Sequence, residues 1–205
     1  DHQIGRMMQA LYEHNLLENT IVIFTADHGD LLGDHNLLRK AWPYEGSARI
    51  PMIVWTSPRF EMGLRRGSVV DSPVELRDVM PTLLDAARAP IPTSVEGKSL
   101  LGLSRGEKVS WREWLHGEHI VGGESAQYLT DGREKYIWFS GSGREQLFDL
   151  ENDPQELHDR AEDPDAAARL EHWRSILVRE LAGREEKMSD GSRLVSGRSV
   201  APCLS

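Results

Sequence analysis

Seven side chains able to do chemistry fall in one short stretch, Thr20 to Lys40, with the sequence TIVIFTADHGDLLGDHNLLRK. Asp27 offers carboxylate oxygens and His28 an imidazole nitrogen, so two metal-ligand types are adjacent. Asp30, Asp34 and His35 follow, then the cations Arg39 and Lys40. A divalent cation can polarise an anionic ester and lower the pKa of a nearby hydroxyl. A lysine or histidine beside it can neutralise charge on non-bridging oxygens or on the leaving group. Asp27 and His28 suit the first task and Lys40 the second. His35 either lines a substrate pocket or is a plain loop residue. Asp34 and Arg39 are expected to orient the loop. The bland alternatives are a turn cap for Asp27 and a satisfied loop histidine for His28.

These groups need a scaffold. Thr20 to Thr25 is rich in β-branched and aromatic residues, the composition of a strand buried on both faces. Asp27, His28 and Gly29 follow its carboxyl end, where open α/β sheets bind ligands, and Gly29 allows a sharp turn. Residues 1–17 read as a helix burying Ile4, Met7, Met8 and Leu11 at i, i+3, i+4, i+7 spacing. Residues 29–49 read as a functional loop with a helical turn near 37–40. Within it Glu45 and Arg49 are expected to pair and hold the Y-E-G-S-A-R turn. Met52 to Trp55 forms a second strand, and Val69-Val70 a third, very short one. Arg65-Arg66 reads as a solvated turn.

A helix follows over 77–87, with Asp78 as its cap and Pro81 tolerated in its first turn. After a Pro-, Gly- and Ser-rich stretch the period becomes alternating. Segments 116–121, 127–130, 134–139 and 145–149 predict a small antiparallel sheet, and Asp131-Gly132 is a hairpin signal. Asp163-Pro164 opens a last helix to about 182, whose inner face is Leu170, Trp173, Leu177 and Leu181. His116 and His119 read as surface residues. The expected division is 1–105 as part of an α/β catalytic domain, 106–182 as a small α+β subdomain, and 183–205 as a mobile tail. Thr20 to Thr25 is expected to be a central strand of a mixed or mostly parallel sheet.

Composition narrows the classes. The 205 residues carry 24 Lys and Arg against 33 Asp and Glu, a net charge of −9 with neutral histidines. No basic block interleaves with aromatics, which disfavours nucleic acid as a partner. The acidic balance also opposes long-range attraction of a polyanion, which would need a local basic patch. One cysteine, Cys203, excludes an intrachain disulfide framework. No apolar run approaches the ~20 residues of a membrane span, and no signal peptide opens the chain, since Asp1 begins a helix-like segment.

Four blocks, taken in order, resemble one family: TIVIFTADHGDLLGDH, RKAWPYEGSARIPMIVW, DVMPTLLDAA and EQLFDLENDPQE. They are similar to the C-terminal half of sulfatases, metal-dependent hydrolases of the alkaline-phosphatase-like superfamily. The likeness runs from Asp1 to about Leu181. It implies an α/β fold, here the C-terminal part with a small antiparallel sheet and C-terminal helix. It implies that Asp27 and His28 supply half of the metal ligands and that Lys40 meets the sulfate group. The family's N-terminal aspartate pair and its formylglycine motif, C-x-P-S-R or C-x-A-S-R, have no counterpart here. The chain is therefore expected to be part of a longer protein and to be inactive alone.

The resemblance implies a sulfate ester substrate, either a small aryl sulfate or a sulfated glycan, and calcium as the metal. Calcium prefers oxygen ligands, and the imidazole tilts the set towards manganese or another borderline ion, with magnesium a further alternative. A phosphonate monoester or phosphodiester hydrolase of the same superfamily would share Asp27, His28 and Lys40. A non-catalytic binding or oligomerisation piece is the alternative from another class. The residues do not fix oligomeric state or compartment; a periplasmic or secreted location is compatible with the intact protein.

Overall fold

A computed structural model describes residues 1–197; Cys203 lies outside them. In chain order the elements are α1 (His2–Glu13), β1 (Ile21–Thr25), α2 (Glu45–Ala48), β2 (Met52–Thr56), α3 (Val79–Ala86), α4 (Leu101–Arg105), β3 (Leu115–Val121), β4 (Glu124–Thr130), β5 (Glu134–Phe139), β6 (Glu145–Asp149) and α5 (Ala167–Glu180). Short 3-10 turns lie at Leu17–Asn19, Asp34–Asn36, Leu76–Asp78 and Pro164–Ala166. No helix among the described residues is long and apolar enough to cross a membrane. The chain divides into two units, one of residues 1–27 with 51–111, the other of residues 28–50 with 112 onward. The segment 28–50, grouped by sequence with the first strand, belongs to the second unit.

In the first unit β1 pairs with β2 antiparallel, from Ile21 opposite Thr56 to Thr25 opposite Met52. Of the mixed or mostly parallel sheet expected around β1, the described residues form one antiparallel pair and no parallel one. The physical reason is the connection: the chain leaves β1 at Thr25 and enters β2 at its partner Met52, so it returns at the same end. A parallel neighbour would need a crossover to the opposite end. Burial also differs from expectation, since β1 is only half-buried and Phe24 is 42% exposed. The helix α1 forms where its periodicity puts it but buries none of its residues, and Met7 is 68% exposed. Val69-Val70 forms no strand. Arg65 and Arg66 are exposed, as a solvated turn would have them, and Arg66 also donates to the carbonyls of Thr56 at 2.8 Å and Ser57 at 2.7 Å, tying the turn to the end of β2.

Asp78 precedes α3 but does not cap it with its side chain; its buried carboxylate serves the 3-10 turn Leu76–Asp78 instead. Asp78 accepts the backbone N–H of Glu75 at 3.0 Å and of Lys98 at 2.8 Å, closing a reciprocal capping box with Glu75. Pro81 sits in the first turn of α3, where its missing N–H costs nothing.

The second unit has the denser core. Strands β3, β4, β5 and β6 run as an antiparallel meander in that order. Alternation along β5 sends successive side chains to opposite faces. Tyr136 and Trp138 join Leu129, Leu147 and the α5 residues Leu170, Trp173, Ile176 and Leu177. Ile137 and Phe139 join Ala126, Phe148 and the loop residues Leu31 and Tyr44. The sheet is therefore covered by α5 on one face and by segment 28–50 on the other. Residues 183–197 pack rather than trail: Met188 is buried in the α5 cluster, and Ser189 bridges to Leu194. Met188 fills a gap that the sequence, with its Gly, Ser and charged neighbours, does not advertise.

Candidate active site

Asp27 and His28 come two and three residues after the last residue of β1. Asp27 is exposed and His28 half-buried. The imidazole is fixed through both nitrogens. A carbonyl can only accept, so Nδ1 carries the proton and donates to the Gly29 carbonyl at 2.6 Å. Nε2 then accepts from the Lys40 ammonium at 2.8 Å, across twelve residues of chain. The tautomer that results presents Nε2 as the electron-pair donor, the form in which imidazole binds a metal.

The segment that brings Lys40 back to His28 is closed by its own backbone. Leu31 N–H donates to the Arg39 carbonyl at 2.9 Å, and Gly33 N–H to the Leu37 carbonyl at 2.9 Å. The Asp30 carboxylate accepts Leu32 N–H at 3.0 Å and Arg39 N–H at 3.1 Å. Asp30, rather than Asp34, orients the loop. Gly29 N–H donates to the Ser47 carbonyl at 2.8 Å, and a Cβ on Gly29 would sit 2.1 Å from the Gly46 carbonyl oxygen. Only glycine allows that approach. Five non-glycine residues here, Leu32, His35, Asn36, Arg39 and Ala41, hold a left-handed backbone. Each such residue costs about 1–3 kcal/mol and persists only where its surroundings hold it.

Apolar side chains do much of that holding. Leu31 is 1% exposed among the side chains of β4, β5 and β6, with Leu37, Trp42 and Tyr44 beside it. Tyr44 also donates its hydroxyl to Gln146 at 3.0 Å. His35 stacks on Tyr44, ring centroids 4.1 Å apart and 13° from coplanar, so one face of its imidazole is committed to packing. The helical turn expected at 37–40 lies instead at Asp34–Asn36, with α2 later. Glu45 and Arg49 do pair, at 3.5 Å across one turn of α2. His119 is exposed, but His116 is half-buried: it lies 2.8 Å from Gln127 Oε1, and burial pushes its pKa down. A cavity of about 330 Å³ between Met52, Val54, Val70 and Leu103, lined also by Arg65, Ser68 and Ser104, involves none of these groups.

The reading missed two residues that touch this segment. Lys135 on β5 and Glu156 are both buried and meet Glu45. The one signal available was Lys135's place in β5 directly before the apolar run Tyr136 to Phe139. Among the described residues no three His, Cys, Asp or Glu side chains gather in a metal-ready group. Asp27 and His28 supply suitable donor types, but two donors do not fill the six to eight positions that calcium takes.

A model of the family described as Sulfatase matches residues 1–89. The arylsulfatase of Clostridium perfringens (strain 13 / Type A) is 47% identical over 201 residues, 98% of this chain and 42% of that protein. The chain belongs to the sulfatase family. It spans less than half the length of that curated relative. The fold agrees: a solved 2-O GAG sulfatase superposes with a TM-score of 0.80 at 24% identity, over 98% of this chain and 46% of the other. The phosphonate monoester hydrolase of Agrobacterium radiobacter gives 0.74 at 26% identity, over 87% of this chain and 38% of the other. This sulfatase chain therefore has the alkaline-phosphatase-like fold expected from its four blocks.

Proposed function

We propose that the protein to which this chain belongs hydrolyses sulfate esters, of aryl alcohols or of sugars, with Asp27 and His28 as ligands of a divalent cation and Lys40 as the cation that meets the sulfuryl group. The observation that carries the reading is the 2.8 Å contact between Lys40 Nζ and His28 Nε2. An exposed ammonium is brought across twelve residues of chain onto a half-buried imidazole.

Bound at Asp27 and His28, a divalent metal would polarise the ester and lower the pKa of a nearby hydroxyl. Calcium is the first choice from family likeness, with manganese or magnesium as alternatives. This chain's own residues would act beside it. The Gly29 carbonyl keeps the proton on Nδ1, leaving Nε2 as a ligand. The Nε2 lone pair serves either a metal or the Lys40 ammonium. With Nε2 given to a metal, Lys40 would lose its acceptor and could turn its charge on a sulfuryl oxygen. His35, stacked on Tyr44, borders the same segment and would shape the pocket rather than carry a proton.

Likeness to a phosphonate monoester hydrolase supports a second reading, in which a phosphonate ester takes the place of the sulfate. Turnover of matched aryl sulfate and aryl phosphonate esters by the full-length protein separates the two. A kcat/KM for the sulfate above that for the phosphonate is the expected result; the reverse order overturns the assignment.

A further inference from the structure

Lys135 is the most deeply buried charge in the second unit, at 0% exposure on β5. Its ammonium lies 2.7 Å from Glu45 Oε1 and 2.9 Å from Glu156 Oε1. The approach is off-axis, so these are ion pairs rather than aligned hydrogen bonds. Glu156 spends its other oxygen differently, accepting the backbone N–H of Glu45 at 2.5 Å. Glu156 itself stands in a left-handed backbone, φ 56°, and burial raises its pKa against the pull of Lys135. Arg49, 3.5 Å from Glu45, brings the local charge close to balance. A buried charge group of this kind stabilises a fold weakly, and a well-packed apolar set would often serve better. Its specific product is position.

That position leads straight to the site. Glu45 is the first residue of α2. The Ser47 carbonyl of α2 receives Gly29 N–H, the residue after His28, and the Gly46 carbonyl packs against Gly29 Cα. The Gly29 carbonyl in turn fixes the His28 tautomer. We infer that Lys135 and Glu156 are positioning residues for the reaction, holding α2 so that Gly29 presents His28 and Lys40 in register. This rests on the reading of His28 and Lys40 given above.

The test uses the full-length protein carrying Lys135→Met/Glu156→Gln. That pair removes two of the buried charges and keeps an acceptor for Glu45 N–H, so it folds where Lys135→Met alone would leave two carboxylates unbalanced. Leu177→Ala, in the core on the other face of the sheet, serves as the control for plain destabilisation. The expected result for the double variant is a kcat at least tenfold lower with KM within twofold. In metal-stripped protein, the ¹⁵N resonances of the His28 ring move away from their wild-type positions. Leu177→Ala lowers the melting temperature yet leaves both readouts at the wild-type value. A folded double variant with wild-type kcat and unmoved His28 resonances overturns the inference. If Lys40→Ala keeps full turnover, the reading of the site fails instead, and the His28 resonances still decide whether Lys135 and Glu156 position it.

Discussion

The strand that precedes Asp27 and the sheet on which residues 28–50 pack are built differently. β1 is half-buried and pairs only with β2 among the described residues, and the adjoining α1 buries nothing. β5 has five buried residues in a row, and both of its faces are covered. The lesson is about where order comes from. Asp27 ends the segment of the first unit, but His28 to Lys40 take their shape from the second, through Leu31, Tyr44, Gly29 and the Lys135 group. A lysine is a flexible side chain that loses side-chain entropy when held. A dense core is the natural place to anchor the loop that aims it.

Core truncation should expose the contrast most strongly. Trp173→Ala removes a side chain 2% exposed and should cost about 3–5 kcal/mol in urea unfolding. Phe24→Ala, 42% exposed in this 205-residue chain, should cost no more than about 1 kcal/mol there. Equal losses would break the comparison. Next in size is Gly29→Ala. Its Cβ would meet the Gly46 carbonyl oxygen at 2.1 Å, and backbone has to move, at about 1–3 kcal/mol. Turnover should fall further than stability explains, because Gly29 also sets the His28 tautomer. A variant with wild-type kcat would show that the loop tolerates displacement.

The smallest effect is a pH dependence within the second unit. Burial raises the pKa of the Glu134 carboxyl, but hydrogen bonds from Arg169 and Trp173 outweigh it and hold the group below the ordinary glutamate value. A depressed carboxyl pKa adds stability above the unfolded pKa, and that stability is lost as pH falls through the folded one. Wild type should therefore exceed Glu134→Gln by ~1 kcal/mol or less at neutral pH, since Arg169 is largely exposed. The gap should close as acid protonates the carboxyl. A gap that is constant with pH would assign the difference to packing.

Much of the second unit could be read from sequence because its signals are local. Asp131-Gly132 marks the turn between β4 and β5, Asp163-Pro164 the start of the last helix, and the unbroken apolar run Tyr136 to Phe139 a strand buried on both faces. Asp27, His28 and Lys40 stood out by type and spacing. Other features rest on pairings that no local pattern encodes. Glu45 and Glu156 meet across 111 residues of chain. Leu31, Trp42 and Tyr44 lie in a stretch polar enough to read as loop, and their burial depends on the far side of a sheet built much later in the chain. Strand direction at β1 depended on where a long connection returned, which residue composition does not record. The packing of Met188 was hidden by its polar surroundings.

The most direct measurement of the account is the effect of Lys40→Ala on the full-length protein, with divalent metal affinity and steady-state turnover of an aryl sulfate read side by side. Lys40 acts on sulfuryl oxygens in this account, so kcat should fall about 10²–10³-fold. Metal affinity should hold or rise slightly, because the ammonium no longer competes for His28 Nε2. Wild-type kcat in Lys40→Ala, or loss of metal binding as large as that in Asp27→Ala, would contradict it.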